Sequence, residues 1–157
     1  MAKDLQIVGF RIGRETYGIP IALVREIVRV PEITAVPNTQ EYVEGVINLR
    51  GKIVSVMDLR KRFGESNIES NKKNQIVVVE FEGRTVGLIV NSASEVLKLS
   101  SSDIAHPGSV FIQGEVDYVT GVAKLGERLI ILLDLSKVLK RRDSRPVDQT
   151  VSPFAAI

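Results

Sequence analysis

Apolar residues in this chain fall into short runs, each ended by glycine, proline or a polar pair, and they alternate more often with period two than with the helical period. The pattern predicts strands at 5–12 and 15–21, folded about Gly13-Arg14 as a hairpin. A third strand at 26–30 is closed by Pro31, and a second hairpin joins 45–50 to 53–57 across Gly51-Lys52. Further strands are predicted at 76–82, 84–90, 93–98, 118–125 and 128–133. Two brief helices interrupt this series. One runs over Asp58–Gly64, with Asp58 as N-cap and Gly64 beyond its end, and the other runs from Asp134 to about Arg141. Residues 65–75 are polar and read as a linker, 100–117 read as irregular, and the tail 143–157 carries Pro146 and Pro153.

The series repeats. Residues 42–61 slide by 76 positions onto 118–137 with 8 identities in 20, among them Tyr42/Tyr118, Gly45/Gly121, Leu49/Leu125 and Asp58/Asp134. Residues 7–28 slide by 69 onto 76–97 with 5 identities in 22, including Gly18/Gly87 and Glu26/Glu95. Two ordered matches imply duplication, with about seven extra residues inside the second copy. Each copy holds about five strands and one short helix. A sheet that small leaves two exposed edges, which closure into a barrel removes. The expected architecture is therefore mainly β. It has two five-stranded barrels, about 6–68 and 76–142, and a groove between them as the place to look for binding. Strand exchange between the barrels near the N-terminus is compatible with this pattern.

Composition agrees. Among 157 residues there are 22 Val and 16 Ile against 8 Ala, which favours pleated surfaces over helices. A chain of this length buries enough surface to fold without staples. The absence of cysteine excludes a disulfide scaffold, a thiolate nucleophile and sulfur-ligated metal. The net charge of +2 lacks the basic excess of strong nucleic-acid binders. No apolar run approaches a membrane span and no leader pattern precedes Asp4, so the expected location is the cytoplasm.

Candidate chemistry is sparse. Gly51-Lys52 lacks the first glycine and the following Ser or Thr of a P-loop, since Val46 and Ile53 stand there. His106, the single histidine, precedes Pro107 in a loop with no apparent triad partners. No metal or cofactor constellation is visible. Asp58 and Asp134 occupy equivalent positions and read as helix caps, with an enzyme built on either as an alternative. The runs Arg60-Lys61-Arg62 and Lys140-Arg141-Arg142 read as solvated basic faces, with an RNA-binding barrel as the corresponding alternative. The stretch Tyr42–Lys52 differs from its copy where Asn48 and Arg50 meet Lys124 and Gly126. Alternation with Ile47 and Leu49 places Asn48 and Arg50 on one strand face, and arginine is a favoured interface anchor.

At these residues the sequence resembles the CheW family of chemotaxis coupling proteins, over about residues 5–140. The resemblance is carried by Phe10-x-x-Gly13, Tyr17-Gly18-Ile19, Val24-x-Glu26-Ile27 and Ile33…Val36-Pro37. It continues through Gly45-Val46-Ile47-Asn48-Leu49-Arg50-Gly51, Asp58-Leu59-x-x-x-Phe63-Gly64 and Val86-Gly87-Leu88-Ile89-Val90. It implies one domain made of two SH3-like barrels, no catalysis and no cofactor. The implied role is that of a stand-alone adaptor bridging the cytoplasmic tips of methyl-accepting chemotaxis receptors to the regulatory domain of histidine kinase CheA. Val24, Glu26, Gly45 and Arg50 match positions associated with receptor contact and coupling, and Asn48 lies in the same signature block; the structural alternatives are a Glu26–Arg50 pair bracing the first barrel, a backbone position requiring glycine at Gly45 and a core position for Val24. The kinase surface is expected to be mainly apolar and to lie largely on the second barrel, with no residues assigned. Two departures stand out. Ser55 replaces a frequent proline, a change expected to act on an edge strand, and Asn91 replaces a common aspartate.

Overall fold

A computed structural model describes residues 4–37, 43–64, 72–106 and 118–139, with the side chain of Ser94 left out. Tyr42, most of the expected linker, the segment 107–117, the Lys140-Arg141-Arg142 run and the tail lie outside the described residues. The elements in chain order are β1 (Asp4–Ile12), β2 (Glu15–Pro20), β3 (Val24–Arg29), β4 (Val43–Leu49), β5 (Lys52–Asp58) and α1 (Leu59–Arg62). They continue as β6 (Gln75–Phe81), β7 (Arg84–Val90), β8 (Ser92–Ser100), β9 (Ile104–Ala105), β10 (Val119–Leu125), β11 (Arg128–Leu133) and α2 (Leu135–Val138). Short 3₁₀ turns at Ile21–Leu23 and Ser101–Asp103 lead into β3 and β9. The expected irregular stretch 100–117 thus contains a capped turn and a short strand.

The chain is mainly β and forms two sheets. One runs β3-β6-β7-β5-β4 and the other β8-β1-β2-β11-β10-β9. The expected boundary at about 65–75 does not separate them. Under the two repeat offsets, β1, β2, β3, β4 and β5 correspond to β6, β7, β8, β10 and β11. Substituting these labels turns the first sheet into β8-β1-β2-β11-β10, which is the second sheet without β9. The opening hairpin of each copy is therefore traded to the other copy's sheet. Each traded hairpin joins its host through a parallel pairing, β7 on β5 and β2 on β11, at equivalent registers. Even the irregularities repeat. Bulges fall between Val24 and Glu26 on β3 and opposite Gly9/Phe10 on β8, and between Val43/Gly45 and Val119/Gly121.

The exchange corrects one expectation. Ser55 lies on β5, which is flanked by β4 and β7, so Ser55 occupies an interior strand rather than an edge. Its backbone amide stands where a ladder donor is wanted, and a proline would supply none.

Among the described residues three apolar clusters hold the fold. Ile47, Val54, Val56, Ile76, Val78 and Ile89 fill the first sheet, and Ile7, Leu99, Ala123, Ile130 and Leu132 fill the second. A third and larger cluster draws on both sheets, around Phe10, Ile19, Met57, Leu59, Leu88, Leu133 and Leu135. Each fully buried Leu or Ile contributes roughly 1.5–3 kcal/mol. Gly18 and Gly87, equivalent in the repeat, sit where the strands of each sheet leave no room for a side chain. A Cβ on Gly18 would lie 2.5 Å from Ile7 Cδ1, and one on Gly87 would lie 2.8 Å from Ile76 Cγ2.

Candidate functional site

The β4–β5 connection is a two-residue turn in which Arg50 and Gly51 both have positive φ, 51° and 86°. That is the type I′ signature, whose twist suits a tight hairpin. β4 ends at Leu49, so Arg50 is a turn residue rather than part of a strand face shared with Asn48. Asn48 supports the turn instead, its Oδ1 accepting from the Gly51 N–H at 2.8 Å. From the turn, Arg50 reaches Glu26 on β3 as a fork, with Nη1 to Oε2 at 2.8 Å and Nη2 to Oε1 at 2.7 Å. The guanidinium remains mostly in solvent, its side chain 76% exposed. β3 and β4 are the two outer strands of their sheet, so this pair ties one outer strand to the turn beside the other.

The five residues singled out from sequence do not all converge. Glu26, Asn48 and Arg50 form one polar unit. Val24, at the start of β3, packs against the central apolar cluster. Gly45 serves the backbone: its φ is 145°, and a Cβ there would lie 2.0 Å from the Thr34 carbonyl oxygen. Thr34 and Val46 exchange two backbone hydrogen bonds of 2.9 Å beside it. Gly121, the equivalent glycine, packs on β9 without a positive φ; a Cβ there would lie 2.7 Å from Ile104 Cγ2 and 3.0 Å from the Ala105 carbonyl oxygen.

A second Glu–Arg fork was not singled out from sequence. Glu95, the repeat partner of Glu26, binds Arg128 at 2.9 and 3.1 Å. The cation comes from a different position, because Gly126 stands where Arg50 would fall and Arg128 stands where Lys52 falls. Hydrogen bonding to Arg128, aided by the Arg128 and Arg11 charges, holds the Glu95 carboxyl below the usual Glu value. The same hydrogen bond raises Arg128. The Glu26/Glu95 identity was the available signal for this pair.

The basic run of α1 is not a solvated face. Arg60 and Arg62 are 4% and 9% exposed. Arg60 turns back on its own cap, Nε and Nη2 each 3.0 Å from the Asp58 carboxylate, while the Arg60 N–H donates to Oδ1 at 2.9 Å. Asp134 caps α2 in the same way and is bound by Ser136, through N–H at 3.0 Å and Oγ at 2.5 Å. Both aspartates are thus consumed by their helices, and Asp58, 2% exposed, offers no accessible carboxylate to a substrate. Arg62 crosses to the other copy, where Nε donates to the Val138 carbonyl at 3.2 Å. Its guanidinium also lies 5.9 Å from the Tyr118 ring centroid. Tyr118 stacks on Phe63 at 4.7 Å, and Phe63 meets Tyr17 at 5.2 Å.

Among the described residues no group of three or more His, Cys, Asp or Glu is placed to hold a metal, and His106 is exposed. No helix among them is long and apolar enough to cross a membrane. The geometry is that of a duplicated β protein whose described surface displays Glu–Arg charge pairs. The model of the CheW-like domain matches residues 6–143, and the chain belongs to the CheW family. The chemotaxis protein CheW of Klebsiella aerogenes is 36% identical over 139 residues, covering 88% of this chain and 84% of that protein. Its counterpart in Treponema pallidum is 32% identical, covering 90% and 85%. The crystal structure of the scaffolding protein TtCheW from Thermoanaerobacter tengcongensis superposes with a TM-score of 0.81 at 36% identity, covering 89% of this chain and 95% of that one.

Proposed function

We propose that this protein is a non-enzymatic chemotaxis adaptor. It couples the cytoplasmic tips of methyl-accepting receptors to the regulatory domain of the histidine kinase CheA, and it works in the cytoplasm at receptor arrays. Its mechanism is linkage: two binding surfaces on one rigid fold pass a bias in receptor conformation to the kinase without turnover. Membership of the CheW family supports the reading, and one structural observation carries it further. The Glu26–Arg50 fork stands exposed on a turn braced by Asn48, and the other copy has Gly126 in place of Arg50. One half has specialised where a receptor contact is expected. In this reading Glu26 and Arg50 make the polar contact and Asn48 holds the turn. Val24 and Gly45 set the backbone and packing beneath it.

The test titrates the protein with purified CheA regulatory domain by calorimetry, then adds a receptor-tip fragment. Saturable 1:1 binding that the receptor fragment joins without displacing the kinase domain is the expected result. Arg50→Glu should stay folded, since Arg50 is exposed, and should lose receptor-controlled kinase activity. The swap Glu26→Arg with Arg50→Glu separates two roles. Restored control means the pair acts as an internal brace, and continued loss means Arg50 touches the receptor. Absence of binding to either partner by a folded sample would overturn the reading.

A further inference from the structure

The two copies share a backbone plan but carry opposite charge at one pair of equivalent places. At the tip of the β1–β2 hairpin an open cavity of about 390 Å³ is lined by Arg11, Arg14, Thr16, Glu95 and Arg128. Its counterpart at the β6–β7 tip, about 570 Å³, is lined by Arg25, Glu80, Glu82 and Gly83. The offset of 69 carries Arg11 onto Glu80, Gly13 onto Glu82 and Arg14 onto Gly83. The first cavity thus sets three guanidiniums against one carboxylate, and the second sets two carboxylates against one guanidinium. In the second, Glu80 is bound by Arg25. In the first, Glu95 is committed to Arg128. Arg11 and Arg14 have no carboxylate at ion-pair distance among the described residues; the Arg11 guanidinium donates to the Arg14 carbonyl at 3.5 Å, and its charge acts on Glu95 only from a longer range.

We propose that the β1–β2 cavity is a docking site for an acidic peptide segment of a partner protein, held by the forks of Arg11 and Arg14. Guanidinium forks match carboxylates two bonds at a time. The site is poorly made for phosphate. The hairpin amide that would serve a phosphate, Gly13 N–H, already donates to Asn91 Oδ1 at 2.8 Å. The aromatic ring in the wall, Phe10, is 1% exposed and presents no face for a base to stack on. Asn91 gains a role here: it fixes the turn from which Arg14 projects. The site is on the sheet that does not carry the Glu26–Arg50 fork, so it stands or falls apart from the receptor reading.

The test uses the full chain and a fluorescein-labelled hexaglutamate peptide, followed by anisotropy at low and moderate salt. Binding that weakens as salt rises is expected. The double variant Arg11→Ala with Arg14→Ala should weaken it roughly tenfold. Arg29→Ala with Arg84→Ala, two exposed arginines elsewhere, should leave it within about twofold. All four positions are exposed, so folding is not at stake. Equal weakening in both double variants would reduce the effect to overall charge and overturn the proposal. So would absence of binding at low salt, or displacement of the peptide by an equal concentration of inorganic phosphate.

Discussion

Arg62 in α1 donates to the carbonyl of Val138 at the end of α2, so the helix of one copy caps the helix of the other. The bond is one-sided, because the residue equivalent to Arg62 is Val138 itself. It satisfies a C-terminal carbonyl that the short helix leaves open, and it places a cation where the helix dipole favours one. Replacing Arg62 by Met keeps the apolar stem and removes the donor. About 1–3 kcal/mol of stability should be lost, read from urea unfolding. An unchanged midpoint would mean the carbonyl finds another partner at no cost.

Asp58 and Asp134 are equivalent in sequence but not in burial. Asp58→Asn removes the negative charge facing the buried Arg60 guanidinium and should cost about 3–5 kcal/mol. Asp134→Asn keeps a capping oxygen beside an exposed Ser136 and should cost less than about 1 kcal/mol. Comparable losses in the two variants would refute the distinction.

Gly45 and Gly51 both have positive φ, for different reasons. Around Gly51 a Cβ meets nothing within 4 Å, so Gly51→Ala should cost only the backbone penalty of about 1 kcal/mol. Gly45→Ala drives a Cβ onto the Thr34 carbonyl and should cost about 4 kcal/mol or more, with loss of the Thr34–Val46 bridge. Chemical denaturation of both variants checks the ordering. Loss of receptor coupling by Gly45 variants of unchanged stability would assign Gly45 a direct contact instead.

The Glu95–Arg128 fork gives a pH signature. A carboxyl whose folded pKa is lowered adds stability above the ordinary Glu range and loses it as pH falls through the lowered value. The urea midpoint of the wild type should exceed that of Glu95→Gln by a constant amount above about pH 6. The two should converge only as pH falls below the lowered folded value, where both states protonate. A gap that persists into strong acid would assign the effect to packing over Gly9 rather than to charge.

Local patterns along the chain suffice for the elements and their duplication. Period-two alternation, the turn glycines and the capping aspartates are local signals, and the strands, both short helices and the mainly β class follow from them. The Gly45–Gly51 block and its companions were enough for the family, because such a signature is a string of adjacent residues. Tertiary structure alone decided which strands share a sheet. Hairpins β1–β2 and β6–β7 present the same apolar alternation to either partner, and equivalent copies offer equivalent partners, so nothing local distinguishes staying from trading. The same limit explains the charges. Arg60 and Arg62 look like Lys61 in a string of basic residues, yet α1 turns two of the three inward, one to its own cap and one to the other helix. Arg50 reads as a strand residue until its positive φ puts it in a turn, and it is from that turn that its fork closes on Glu26, the pairing that stood as the structural alternative. The contrast between the Arg11–Arg14 and Glu80–Glu82 tips follows from the repeat offset, but only the exchange sets the two tips on different sheets. Pairing across a fold depends on distance in space, which a linear pattern does not encode.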